Sequence, residues 1–137
     1  MNSSSLGSYT IDVKDNIVII DCHGPFDQEI VELFSDDIKT AIKQFANKPW
    51  GSLITYYGNG IFTPEAESAL KEVTQYRIEH GMIAVAAIIK NSIHADLQQM
   101  QLNRIYQVTP IVFHVFCADN DAQLWLSNFL KEQTTSV

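Results

Sequence analysis

Asp21 and His23 stand two residues apart at the end of a β-rich run. In this 137-residue chain they come nearest to proton-transfer chemistry, a general base beside a carboxylate. Asp27 adds a second acid across the Gly24-Pro25-Phe26 break, yet its place just ahead of an apolar-periodic run makes it a helix cap first. Ser92 is the one serine just after a strand-like run, but His94 is too near along the chain to count as its catalytic base, and no Gly-x-Ser-x-Gly elbow is present. His23, His80, His94 and His114 form no His-x-x-x-His or similar pair, and Cys22 and Cys117 lack a second ligand at a recognisable spacing. The chain is therefore expected to be a non-enzyme with no metal and no cofactor, its thiols small core or strand-end groups and not a disulfide.

The elements that would position any site alternate in hydrophobic rhythm. Tyr9 to Val13, Ile17 to Cys22, Ser52 to Tyr57, Met82 to Ile89 and Ile111 to Cys117 are short β-rich runs. Each after the first is followed by a run whose apolar residues recur every three or four positions. That alternation predicts one α/β domain over residues 9–132, a five-stranded mixed, mostly parallel sheet with about four helices, between flexible segments at 1–8 and 133–137. Lys14-Asp15-Asn16 reads as the turn of an antiparallel hairpin. Asp27 opens a helix that runs to near Asn47 and buries Ile30, Val31, Phe34, Ile38, Ala41, Ile42 and Phe45, and Thr63-Pro64-Glu65 opens a second burying Ala66, Ala69, Leu70, Val73 and Tyr76. Met82 to Ile89 has no polar alternate, as in a central strand covered on both faces. The third helix, Ile93 to Gln107 capped by Ser92, is less regular, because Ile93, Leu97 and Met100 share a stripe that Leu102, Ile105 and Tyr106 leave. Asn120 with Gln123 resembles a capping box for the last helix, whose docking face is Ala122, Trp125, Leu126, Phe129 and Leu130.

A net charge of −7, with the basic residues scattered, repels phosphate backbones and argues against a nucleic-acid partner. The longest apolar run falls far short of a membrane span, and residues 1–8 have no signal-peptide pattern, so a cytoplasmic protein is expected. In open parallel sheets ligands favour the crevice at the carboxyl ends of the strands. Here that crevice gathers Cys22 and His23, the loop Tyr56 to Phe62 with Tyr57, Gly58, Asn59 and Gly60, the helix start at Thr63, and Lys90, Asn91 and Ser92. Alternation sends Tyr56 and Tyr57 to opposite faces, so at most one lines the crevice. If the third helix stands off the sheet, Ile93, Leu97 and Met100 roof a pocket for a small apolar ligand. Ile93, Leu97, Leu102 and Tyr106 would leave apolar surface uncovered on that helix unless something packs on it, which favours a homodimer.

The hairpin followed by three strand-helix units, with Gly24-Pro25-Phe26 before the first helix, Thr63-Pro64-Glu65-Ala66 at the second, and Phe116, Ala122, Trp125 and Leu126 at the end, resembles the SpoIIAA-like group. That group is related to STAS domains and shares a fold with the CRAL-TRIO lipid carriers. The resemblance spans Tyr9 to about Lys131 and implies a non-enzymatic regulatory or protein-interaction domain. In the anti-sigma-factor antagonists of this kind an Asp-Ser-Ser stretch opens the helix after the third strand. Overlay places Glu65 at the phosphorylatable position, which implies a domain without the serine phosphorylation switch. A carrier or sensor of a small apolar or lipid-like ligand is the alternative that the resemblance also implies.

Overall fold

A sheet whose strands lie in chain order is the frame of the molecule. The computed structural model describes residues 7–133 and, for residues 2–3 and 134–135, the backbone. Its strands are β1 (Asn2–Ser3), β2 (Ser8–Lys14), β3 (Ile17–His23), β4 (Trp50–Tyr57), β5 (Met82–Lys90) and β6 (Val112–Phe116), ordered 1-2-3-4-5-6. The β1–β2 and β2–β3 pairs are antiparallel, and the remaining three are parallel. The expected α/β character and mixed, mostly parallel sheet are thus present, with the two-residue β1 as a sixth strand. It falls in the segment 1–8 read as flexible, of which residues 1 and 4–6 lie outside the described residues. Asp15 and Asn16 make the hairpin turn, Lys14 pairing with Ile17.

Three helices cover one face and a single helix covers the other. α1 (Gln28–Ala41), continued by a 3-10 turn over Ile42–Phe45, then α2 (Pro64–Glu79) and α3 (Ala95–Tyr106), share one core with Ile20, Ile54, Val85 and Ala87. α4 (Asp119–Thr135) packs Ala122, Leu126 and Leu130 on Ile17, Leu53, Ala84, Ala86 and Ile88 of the opposite face. Sandwiched between these layers, β5 is the apolar central strand that its sequence predicts. Of the tail 133–137, helix α4 takes the chain through Thr135, and 136–137 lie outside the described residues.

Local chemistry sets the helix starts. Asp27 Oδ1 accepts from the N–H of Ile30 (3.0 Å), and Thr63 Oγ1 accepts from that of Ala66 (3.1 Å), with Pro64 at the first helical position. The other two starts differ from expectation. His94, not Ser92, is the residue before α3, while the hydroxyl of Ser92 accepts the N–H of His94 (2.9 Å). α4 begins at Asp119, so Asn120 sits inside its first turn and does not cap it.

The face of α3 that docks is also not the predicted one. Leu102, Ile105 and Tyr106 are buried together with Gln98 and Gln101, whereas Ile93, Leu97 and Met100 are 84%, 40% and 53% exposed. Gln98, Gln101, Leu102 and Ile105 recur at helical spacing, and hydrogen bonding lets the two glutamines serve as core residues.

Candidate functional site

The carboxyl ends of β3, β4 and β5 do bring most of the predicted crevice together, but they close it with hydrogen bonds. Asn59 Oδ1 accepts from Ser92 Oγ (3.2 Å) and from the N–H of Ile93 (2.9 Å), just after Asn91 turns the chain at φ 57°. Gly58 donates its N–H to the carbonyl of Lys90 (2.8 Å), and its own carbonyl accepts from Gln98 Nε2 (3.0 Å). Gln101 holds both polar groups of Phe62: its Oε1 accepts the N–H at 3.0 Å and its Nε2 donates to the carbonyl at 2.9 Å. Gly60 lies against Gly24, where an added Cβ would stand 2.2 Å from Gly60 Cα. With the Thr63 hydroxyl committed to its cap, the loop is a buttress between sheet and helices. Glu65 is exposed in the first turn of α2.

Tyr57 and Tyr56 separate to the two faces. Tyr57 lies on the α4 side, stacked on exposed His23 (ring centroids 4.8 Å apart, 11° between planes), with Lys90 Nζ 5.8 Å from its centroid. The Lys90 ammonium binds Asp119 Oδ2 at 2.7 Å, which raises its pKa. Asp21 pairs in register with Thr55, and His23 with Tyr57, on neighbouring strands. Among the described residues no hydrogen bond joins His23 to Asp21, and no group of three or more His, Cys, Asp or Glu side chains could hold a metal ion.

Tyr56 points the other way, into a cavity of about 50 Å³ between the sheet and α1 and α2. Every residue lining it is buried. Ile20 and Ile54 supply its sheet wall, Phe26, Ile30 and Val31 its α1 side, and Phe62 and Leu70 its α2 side. Tyr9, Cys22, Tyr56, Tyr106 and Arg77 are the lining residues that carry polar groups, the Tyr9 hydroxyl donating to Asp37 Oδ2. Burial pushes the pKa of Cys22 up, aided by the charge of Asp21, and burial likewise holds the Tyr56 phenol neutral.

Arg77, fully buried, is the residue that the sequence reading did not single out. Its Nη2 donates to Thr74 Oγ1 and Tyr106 Oη, both at 2.8 Å, and its Nη1 to Ser52 Oγ at 3.4 Å. Its Nε has no hydrogen-bond acceptor among the described residues. The guanidinium carbon lies 5.8 Å from the Phe34 ring centroid and 5.7 Å from that of Tyr106. Ion pairs among the described residues join Lys71 to Glu67, Lys90 to Asp119 and Arg104 to Glu67, and none includes Arg77. Its signal in the sequence was spacing: Ala66, Leu70, Val73 and Arg77 follow one helical stripe.

The pocket therefore lies on the α1 and α2 side, not beneath Ile93, Leu97 and Met100. Set against known proteins, the chain matches no family model and matches no curated protein significantly. Among the described residues no helix is long and apolar enough to cross a membrane.

Proposed function

We propose that this is a non-enzymatic binding domain that carries or senses a small apolar ligand in the cavity beneath α1 and α2. The observation that carries this reading is the mainly apolar space lined by buried residues of the core, because protein interiors leave few voids larger than a water molecule. A ligand that binds only the folded state raises its stability by mass action. At about ten times its Kd it should raise Tm by about 3–5 °C. Ile54→Phe fills the space and should remove that shift while the variant still unfolds cooperatively. An equal shift in the variant would refute the reading.

A regulatory reading of the SpoIIAA-like (STAS) kind, in the cytoplasm, is supported by a different feature. A groove of about 590 Å³ runs between the outer faces of α1 and α2. Glu32, Glu65, Glu72 and Glu79 line it against the single cation Lys39, and Glu65 is the residue that overlays the family's phosphorylated position. Such a wall suits a partner presenting basic residues, with the glutamate as a fixed negative charge. Substantial phosphorylation of Thr63 in protein from its own cells would count against a fixed switch. Self-association through α3 belongs to the same proposal, resting on exposed Ile93, Leu97 and Met100. Sedimentation at micromolar concentration should show a dimer that Leu97→Asp dissociates, and a wild-type monomer would remove the homodimer.

A further inference from the structure

We propose that β6 is a docking edge for a second copy of this chain, the two strands pairing antiparallel about His114 so that the two sheets become one. β6 ends the sheet order, and among the described residues no strand pairs with its outer side. Alternate N–H and C=O groups along it therefore face away from β5. Native proteins ordinarily guard such an edge with charge, proline or a bulge. Toward the opposite end of the sheet β2 follows that practice, with Asp12 and Lys14 exposed on it. β6 reads Val112-Phe113-His114-Val115-Phe116, with no acid, lysine, arginine or proline, and its register with β5 runs unbroken from Val112 to Phe116.

The order of those residues selects the occupant. A pair centred on His114 sets each Val112 opposite a Phe116, each Phe113 opposite a Val115, and the two His114 opposite each other. Every outer pair then joins a β-branched side chain to an aromatic ring, a favourable cross-strand match. Faces also agree: Phe113 and Val115 pack on the three-helix side and Phe116 on the α4 side, so a two-fold axis through the sheet keeps like layers together. Trp125 of α4 brings further apolar surface to the joint, its ring centroid 4.9 Å from that of His114 and 5.6 Å from that of Phe116. A strand of five residues is small beside the roughly 20–30 residues a side of a stable interface. Pairing is therefore expected at about 0.1–1 mM, above the micromolar range of the α3 contact, from which it is separate.

The test is sedimentation at about 0.5 mM of Leu97→Asp protein, in which the α3 contact is removed. A dimer should form, and His114→Lys, which sets like charges opposite each other at an exposed position, should weaken it by about fivefold or more. Register is read by thiol trapping under mild oxidation. His114→Cys should cross-link the two copies, whereas the exposed Cys117 should not, because this register separates its two copies by six residues along the ladder, roughly 20 Å. If Leu97→Asp does not fold, the same trapping on otherwise wild-type protein decides. A monomer at 0.5 mM, a dimer indifferent to His114→Lys, or a Cys117 cross-link formed as readily as that of His114→Cys would each overturn the β6 edge, and all three leave the cavity and α3 readings standing.

Discussion

Arg77 and Gly24 show how much a single position decides in this fold. Arg77 ends the stripe Ala66, Leu70, Val73 and Arg77, yet an arginine in the last turn of a helix is ordinarily read as a solvated charge favoured by the dipole. Spacing was legible, and the burial of a charge at the end of it was not, because hydropathy ranks arginine outside every core. Its removal does not orphan a carboxylate, since none is paired with it. Arg77→Met should therefore unfold in urea with a stability no more than about 1 kcal/mol below the wild type, as buried charges replaced by apolar groups of similar volume often are neutral or stabilising. A loss several times larger would mean that the guanidinium is a structural keystone. At Gly24 the opposing atoms are the backbone of Gly60, which cannot rotate away. Gly24→Ala should cost about 1–3 kcal/mol, read from the same urea midpoints, through forced separation of two loops.

At the scale of elements, α1, α2 and the strands follow from local signals, and α3 does not. Caps, the early proline and unbroken apolar stripes specify the first two helices without reference to the rest of the molecule. For Thr63→Ala the loss of the cap should cost about 1 kcal/mol, seen as a lower urea midpoint with an unchanged slope. α3 is held by glutamine side chains bonded to the backbone of Gly58 and Phe62, a tertiary partnership that no local pattern displays. Its outer face is tied to α2 by Arg104, whose Nε and Nη2 meet the two Glu67 oxygens at 3.0 and 2.7 Å. The hydrogen bond from Arg104 lowers the pKa of Glu67 below its ordinary value. A carboxylate depressed in the folded state stabilises at neutral pH and loses that contribution as pH falls through its folded pKa. Wild-type protein should accordingly lose more stability than Glu67→Gln between pH 7 and about pH 3, and equal acid sensitivity would show that the pair contributes nothing measurable.

For the whole molecule, the alternation of periods was enough to specify an α/β domain with a mixed sheet, because each strand is flanked by the helix that covers it. Which helices share a face was not legible, and that division creates the site: α1 and α2 span β3 and β4 over a cavity, while α4 alone seals the other side. The predicted crevice residues His23, Tyr57 and Asn59 are near one end of the sheet but held in stacking or hydrogen bonds there, whereas Cys22, Tyr56 and Phe62 of the predicted crevice line the cavity. The most direct test of ligand binding in this core is a methyl-resolved NMR titration of the wild-type protein with 1-propanol, a small, mainly apolar probe of four heavy atoms. Shifts centred on Ile20, Ile30, Val31, Ile54 and Leu70 are the predicted result. Shifts confined to Ile93 and Leu97 on the outside of α3, or none at saturating 1-propanol, would contradict it.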